Sequence, residues 1–127
     1  IFNAAQAILS AKAGATYVSP FIGRLDDNSV AGLEVIRSIA EVYKVQQVKK
    51  TQILAASIRD VYKVSRAFWN GANIVTMPPK IFEGMYNHIL TDKGLEIFDK
   101  DYQDSKKSVF NPPPFATTKH GKDLDSF

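Results

Sequence analysis

An α/β fold built of strand–helix units around a parallel sheet is what this sequence predicts, on three observations. Runs of β-branched and aromatic residues alternate with helix-forming segments, recurring at roughly 30 to 35 residues. The central run, Ile53-Leu54-Ala55-Ala56, is apolar without alternation, as expected of a strand covered on both faces. The segments between strands also carry helix start and stop residues of their own.

Ile1-Phe2 has the composition of a strand end. Asn3, a favoured N-cap, opens a helix through Lys12, and Gly14 stands where a residue beyond the C-cap belongs. Thr16 to Ile22 is β-branched and aromatic and predicts a strand, broken by a turn from Gly23 to Asn28. Leu33, Ile36, Ile39, Ala40 and Tyr43 recur three and four apart and form one helical stripe. After a polar connection at Gln46 to Lys50, Thr51 to Ser57 predicts the second strand. Asp60 caps a helix to Asn70 with Val61, Val64, Ala67 and Phe68 inward and Gly71 as its stop. Asn73 to Met77 is the third strand, and the second proline of Pro78-Pro79 suits the first turn of a helix over Lys80 to His88. A last helix, Asp92 to Lys106, carries Leu95, Phe98 and Tyr102 at helical spacing. Asn111-Pro112-Pro113-Pro114-Phe115 marks an extended or disordered tail.

Composition narrows the function classes. Of 127 residues, 45% are apolar and 23% charged, enough for a core, and no apolar run approaches the ~18 to 20 residues of a membrane helix. The chain has no cysteine, which removes disulfides, thiolate zinc sites, iron–sulfur clusters and thiol nucleophiles. The net charge of +3 is spread rather than clustered, and the adjacent basic pairs Lys49-Lys50 and Lys106-Lys107 read as solvated surface. Neither a nucleic acid nor a membrane is the expected partner.

Chemistry in parallel α/β folds sits at the carboxyl ends of the strands. Here those ends read Ser19-Pro20-Phe21-Ile22-Gly23-Arg24, Ala56-Ser57-Ile58-Arg59 and Thr76-Met77-Pro78-Pro79. Two of the three deliver an arginine with a serine nearby. A guanidinium offers a planar fork of donors suited to phosphate or carboxylate oxygens, so Arg24 and Arg59 converging on one anion is one reading. The other is two separate surface arginines paired with Asp26, Asp27 or Asp60.

The stretch Ala13 to Asp27, with Ser19-Pro20-Phe21-Ile22-Gly23-Arg24 at its centre, closely resembles the signature of the transaldolase family. Ile53 to Arg59 is similar to that family's seventh strand and Gly71 to Pro79 to its eighth. Leu90 to Leu95 is similar to the C-terminal segment of the small, fructose-6-phosphate-aldolase-like branch. The resemblance covers roughly residues 1 to 102. It implies a partial (β/α)8 TIM barrel: residues 1–104 as strands six to eight with their helices and a C-terminal helix, and residues 105–127 as a tail. It also implies a cytoplasmic transferase of the pentose phosphate pathway, moving a dihydroxyacetone unit between sugar phosphates through a lysine Schiff base. Fructose 6-phosphate, sedoheptulose 7-phosphate and erythrose 4-phosphate are the implied partners, with no cofactor and no metal.

By the same resemblance Arg24, Ser57 and Arg59 hold the substrate phosphate, and Ser19 and Phe21 line the sugar pocket. Phe21 stands where the aldolase branch has a tyrosine, which favours transaldolase over free aldolase activity. The family's Schiff-base lysine and acid–base carboxylates lie on strands before the first residues of this chain. None of its own lysines sits in an apolar strand where desolvation would make a nucleophilic amine, and His88 and His120 are isolated. The chain as given is therefore expected to be inactive alone. A three-stranded parallel piece leaves sheet edges open, which predicts self-association as a homo-oligomer. A noncatalytic phosphosugar-binding or assembly module derived from such a barrel is the alternative.

Overall fold

The computed structural model describes residues 1–110. Two compact units divide the chain, one spanning Ile1–Tyr86 and one beginning at Asn87.

The first unit carries three parallel strands in the order β1-β2-β3: β1 (Tyr17–Val18), β2 (Gln52–Ala55) and β3 (Ile74–Val75). Val18 pairs with Ile53, and Ala55 with Val75. The predicted parallel α/β arrangement is present, with shorter strands than the residue types suggested. Pro20 has no N–H to give the ladder, yet its carbonyl accepts from the Ala56 amide at 3.1 Å. The Ile22 amide then donates to Ala56 O at 3.0 Å, so pairing persists as a single bridge, Phe21 to Ala56. The Ile1 nitrogen donates to Ser19 O at 2.8 Å.

The helices follow their sequence signals closely. In α1 (Ala4–Lys12), Asn3 Oδ1 accepts from the Gln6 amide at 2.8 Å, and Gly14 takes φ 88° just past the end. In α4 (Val61–Trp69), Asp60 caps through the Lys63 amide, and Gly71 has φ 112°. Between them, α3 (Gly32–Val45) packs against α1, α4 and β2 and buries Ile36, Ile39 and Tyr43. The Tyr43 hydroxyl donates to the Ala7 carbonyl at 2.6 Å and fixes α3 to α1. Ile22, Ile36, Ile39 and Ile58 are fully buried with Pro20, each isoleucine contributing about 1.5 to 3 kcal/mol.

Three helix expectations change within this unit. The turn expected at Gly23 to Asn28 is a helix, α2 (Ile22–Asp27), because Ile22 and Leu25, three apart, both enter the core. Phe68 and Val61 are exposed rather than inward. Only the narrow stripe Val64 and Ala67 is buried on α4, and Phe68 lies about a hundred degrees further round the helix. The next helix is short, α5 (Pro79–Gly84), with Pro79 in its first turn as predicted.

In the second unit, α6 (Ile89–Phe110) starts earlier and runs further than Asp92 to Lys106. The His88 Nδ1 accepts from the Leu90 amide at 3.1 Å, supplying a cap the sequence reading did not assign. Leu95, Phe98 and Tyr102 lie on this helix and are exposed. Residues 105 to 110, placed in the tail by the sequence, are helical, and the remainder of that tail, 111 to 127, lies outside the described residues.

Candidate functional site

The carboxyl ends of β2 and β3 open onto a hollow of about 450 Å³ lined by Ser57, Ile58, Arg59, Thr76, Met77 and Pro78. Its rim is set by a backbone contact. The Gly23 amide donates to Ser57 O at 3.0 Å, which brings the start of α2 against the loop leaving β2. A side chain at Gly23 would have no space: its Cβ would stand 2.6 Å from Ser57 O, 2.6 Å from Arg59 Nε and 2.7 Å from Ser57 Oγ. Glycine is required here by close approach. Ser57 itself adopts φ 59°, the left-handed region, where a residue with a Cβ is strained by roughly 1 to 2 kcal/mol.

Arg59 leaves the same loop and meets α2 in a two-pronged pair. Its Nη1 donates to Asp27 Oδ1 at 2.5 Å and its Nη2 to Asp27 Oδ2 at 2.7 Å. Both side chains are about half exposed, 51% and 54%. The Arg59 hydrogen bonds hold the Asp27 carboxyl below the usual carboxylate range, with the charges of Arg59, Arg24 and Lys63 adding to the effect. A second tie lies beside it. Lys63 Nζ donates to Asp26 Oδ2 at 2.5 Å, and Asp26 Oδ1 accepts from the Gly32 amide at 3.0 Å. Burial pushes the Asp26 carboxyl up, but Lys63 and the Gly32 amide outweigh it and hold the carboxyl low.

Of the predicted residues, Ser57 and Arg59 therefore share one loop at one hollow. Arg24 follows Gly23 directly on α2 and lies over the Phe21 ring, 5.5 Å from guanidinium carbon to centroid. Phe21 is half-buried and meets Phe2 edge-on at 6.0 Å. Ser19, half-buried at the end of β1, accepts the Ile1 nitrogen through its carbonyl. Of the two arginines, Arg59 has the aspartate partner the alternative reading required, and Arg24 has an aromatic ring. Sequence reasoning missed the Gly23 contact, the Ser57 backbone strain and the choice of Asp27 over its neighbours. A glycine between a strand end and an arginine was the visible signal for the first.

The described lysines sit on helices and connections, and the strands contain none. Lys63 is the partly buried one, and its Asp26 hydrogen bond raises its pKa, the opposite of what a nucleophilic amine needs. Among the described residues no cluster of histidine, aspartate or glutamate could hold a metal ion. No described helix is long and apolar enough to cross a membrane. A second hollow of about 340 Å³ lies at the opposite ends of the strands, lined in part by Lys44, Lys49, Thr51 and Asn73. It adjoins the carbonyl end of α3, whose dipole disfavours an anion.

Residues 1–127 match the family model described as Transaldolase/Fructose-6-phosphate aldolase. A protein named "Probable transaldolase" from Paracoccus denitrificans is 52% identical over 108 residues, covering 85% of this chain and 49% of that protein. One of the same name from Caulobacter vibrioides is 50% identical over 108 residues, covering 85% and 49%. Another, from Brachyspira hyodysenteriae, is 52% identical over 103 residues, covering 81% and 47%. The chain thus spans about half the length of the curated relatives it matches.

Proposed function

The chain belongs to the transaldolase/fructose-6-phosphate aldolase family, and on that premise we propose that it forms the phosphate-binding side of a (β/α)8 transaldolase. In this reading β1, β2 and β3 are strands six to eight of the barrel. The enzyme transfers a dihydroxyacetone unit from fructose 6-phosphate or sedoheptulose 7-phosphate to an aldose phosphate such as erythrose 4-phosphate. The lysine that forms the Schiff base lies outside this chain, as do the carboxylates that move its protons. Arg59, Ser57 and Arg24 take the substrate phosphate, and Ser19 and Phe21 border the sugar. A phenyl ring at position 21 offers no proton, which suits transfer to a second sugar rather than free aldol cleavage. The protein works in the cytoplasm, within the pentose phosphate pathway, and as a homo-oligomer.

The observation that supports this reading is that Ser57 and Arg59 line one hollow, with the amide of Gly23, the residue before Arg24, bonded to the Ser57 carbonyl. Binding of fructose 6-phosphate, followed by calorimetry, tests it. Arg59→Ala and Arg24→Ala should each weaken binding about tenfold to a hundredfold, because each removes a charge-assisted bond. Arg66→Ala, which removes a guanidinium lying over Trp69 on α4, should leave binding unchanged. Equal effects at all three positions contradict a phosphate site.

A noncatalytic phosphosugar-binding module is the second reading: it needs no nucleophilic amine, and Lys63, the partly buried lysine among the described residues, is tied to Asp26 with its pKa raised. Borohydride reduction in the presence of fructose 6-phosphate separates the two. The transferase reading expects a dihydroxyacetone adduct on a lysine outside residues 1–127, and the module reading expects none.

A further inference from the structure

Resting on the phosphate-site reading above, we propose that Asp27 is a positioning residue that presents Arg59 to the anion. The Arg59 guanidinium has two usable edges. Asp27 takes the forked end, through Nη1 and Nη2, and leaves the Nε edge unoccupied by that pair. The Nε and Ser57 Oγ both flank Gly23, 2.6 Å and 2.7 Å from the point where its Cβ would stand. The carboxylate thus holds the Nε edge of Arg59 on the Gly23 side, at the hollow that Ser57 also lines.

An arginine on an exposed loop otherwise samples many rotamers, and fixing one on binding costs affinity. Asp27 restricts that freedom before the ligand arrives. Its negative charge acts the other way, since a carboxylate near an anion repels it. The two effects have opposite signs, so the sign of the change on removing Asp27 identifies which dominates. Asp26 provides a matched control: it carries the same charge one residue earlier on α2, but it holds Lys63 and the Gly32 amide rather than Arg59. The Arg59–Asp27 pair is exposed, and exposed pairs add little to stability, so the variant is expected to fold.

The experiment compares Asp27→Asn, Asp26→Asn, Asp27→Glu and Arg59→Ala in the intact protein, with inorganic phosphate and fructose 6-phosphate as the probes in calorimetry. Asp27→Asn should weaken both about twofold to tenfold, the entropy of one ordered long side chain. Asp26→Asn should leave both unchanged or slightly tighter, Asp27→Glu should recover part of the loss, and Asp27→Asn should add nothing in an Arg59→Ala background. Unchanged or tighter binding in Asp27→Asn, with Arg59→Ala still weakened, overturns the positioning role and leaves the phosphate site standing. No effect of Arg59→Ala removes the phosphate site itself.

Discussion

At the scale of single residues, two positions carry backbone requirements that can be separated from their chemistry. Ser57 holds φ 59° while lining the hollow. Ser57→Gly relieves the strain and removes the hydroxyl together. Stability should hold or rise by less than about 1 kcal/mol, the relief being partly offset by glycine's greater unfolded-state entropy. Phosphate binding should weaken in the same variant. A clear loss of melting temperature with unchanged binding would assign Ser57 a purely structural role. Gly23→Ala is the converse case, since its Cβ would collide with the Ser57 carbonyl and Arg59 Nε. It should destabilise by about 1 to 3 kcal/mol, as overpacking does, and also displace the loop that carries Arg59. A thermal melt together with a phosphate titration reads both effects, and wild-type values in either contradict the close approach.

At the scale of elements, the helix boundaries with local signals were legible in the sequence and those set by distant partners were not. Asn3 and Asp60 cap α1 and α4 as expected, because an N-cap needs only its own next three residues. α2 was read as a turn because Gly23, Asp26, Asp27 and Asn28 are turn formers. Its helicity follows from burial of Ile22 and Leu25, and six residues are too few to display a period. The Arg59–Asp27 pair joins residues 32 apart in sequence, and nothing local distinguishes Asp27 from Asp26 or Asp60 as its partner. That Arg24, Ser57 and Arg59 follow strand ends was legible in the sequence, whereas the Arg59–Asp27 clamp required the fold.

The same two aspartates give this region a pH dependence. Both carboxyls titrate below the ordinary value in the native state, Asp27 through Arg59 and Asp26 through Lys63 and the Gly32 amide despite burial. The native state therefore binds their protons less readily than the unfolded chain. Their contribution is fully present above the unfolded aspartate value of about 3.9 and is lost as pH falls through the lower native values. Melting temperatures measured against pH should decline below about pH 4, and the decline should be shallower when both are replaced by asparagine. An identical slope in that variant contradicts the two anchoring pairs.

At the scale of the molecule, the parallel α/β arrangement was legible because strand runs, caps and prolines all pointed to the same units. The division after Tyr86 falls in the short connection between α5 and α6, where no glycine- or proline-rich linker marks it in the sequence. Within the first unit β1 and β3 are the outer strands of the described sheet, and large apolar side chains including Tyr62, Trp69 and Tyr86 are exposed. Such surface and such edges favour association. Sedimentation of the 127-residue chain should show concentration-dependent self-association, and a stable, cooperatively folding monomer contradicts that expectation.

The most direct measurement is an amide chemical-shift titration of the protein with inorganic phosphate. The largest shifts should fall on Gly23, Arg24, Ser57 and Arg59, saturate together, and disappear in Arg59→Ala. Shifts concentrated at Lys44, Lys49 and Asn73, or scattered over the exposed lysines, would place the anion elsewhere and contradict it.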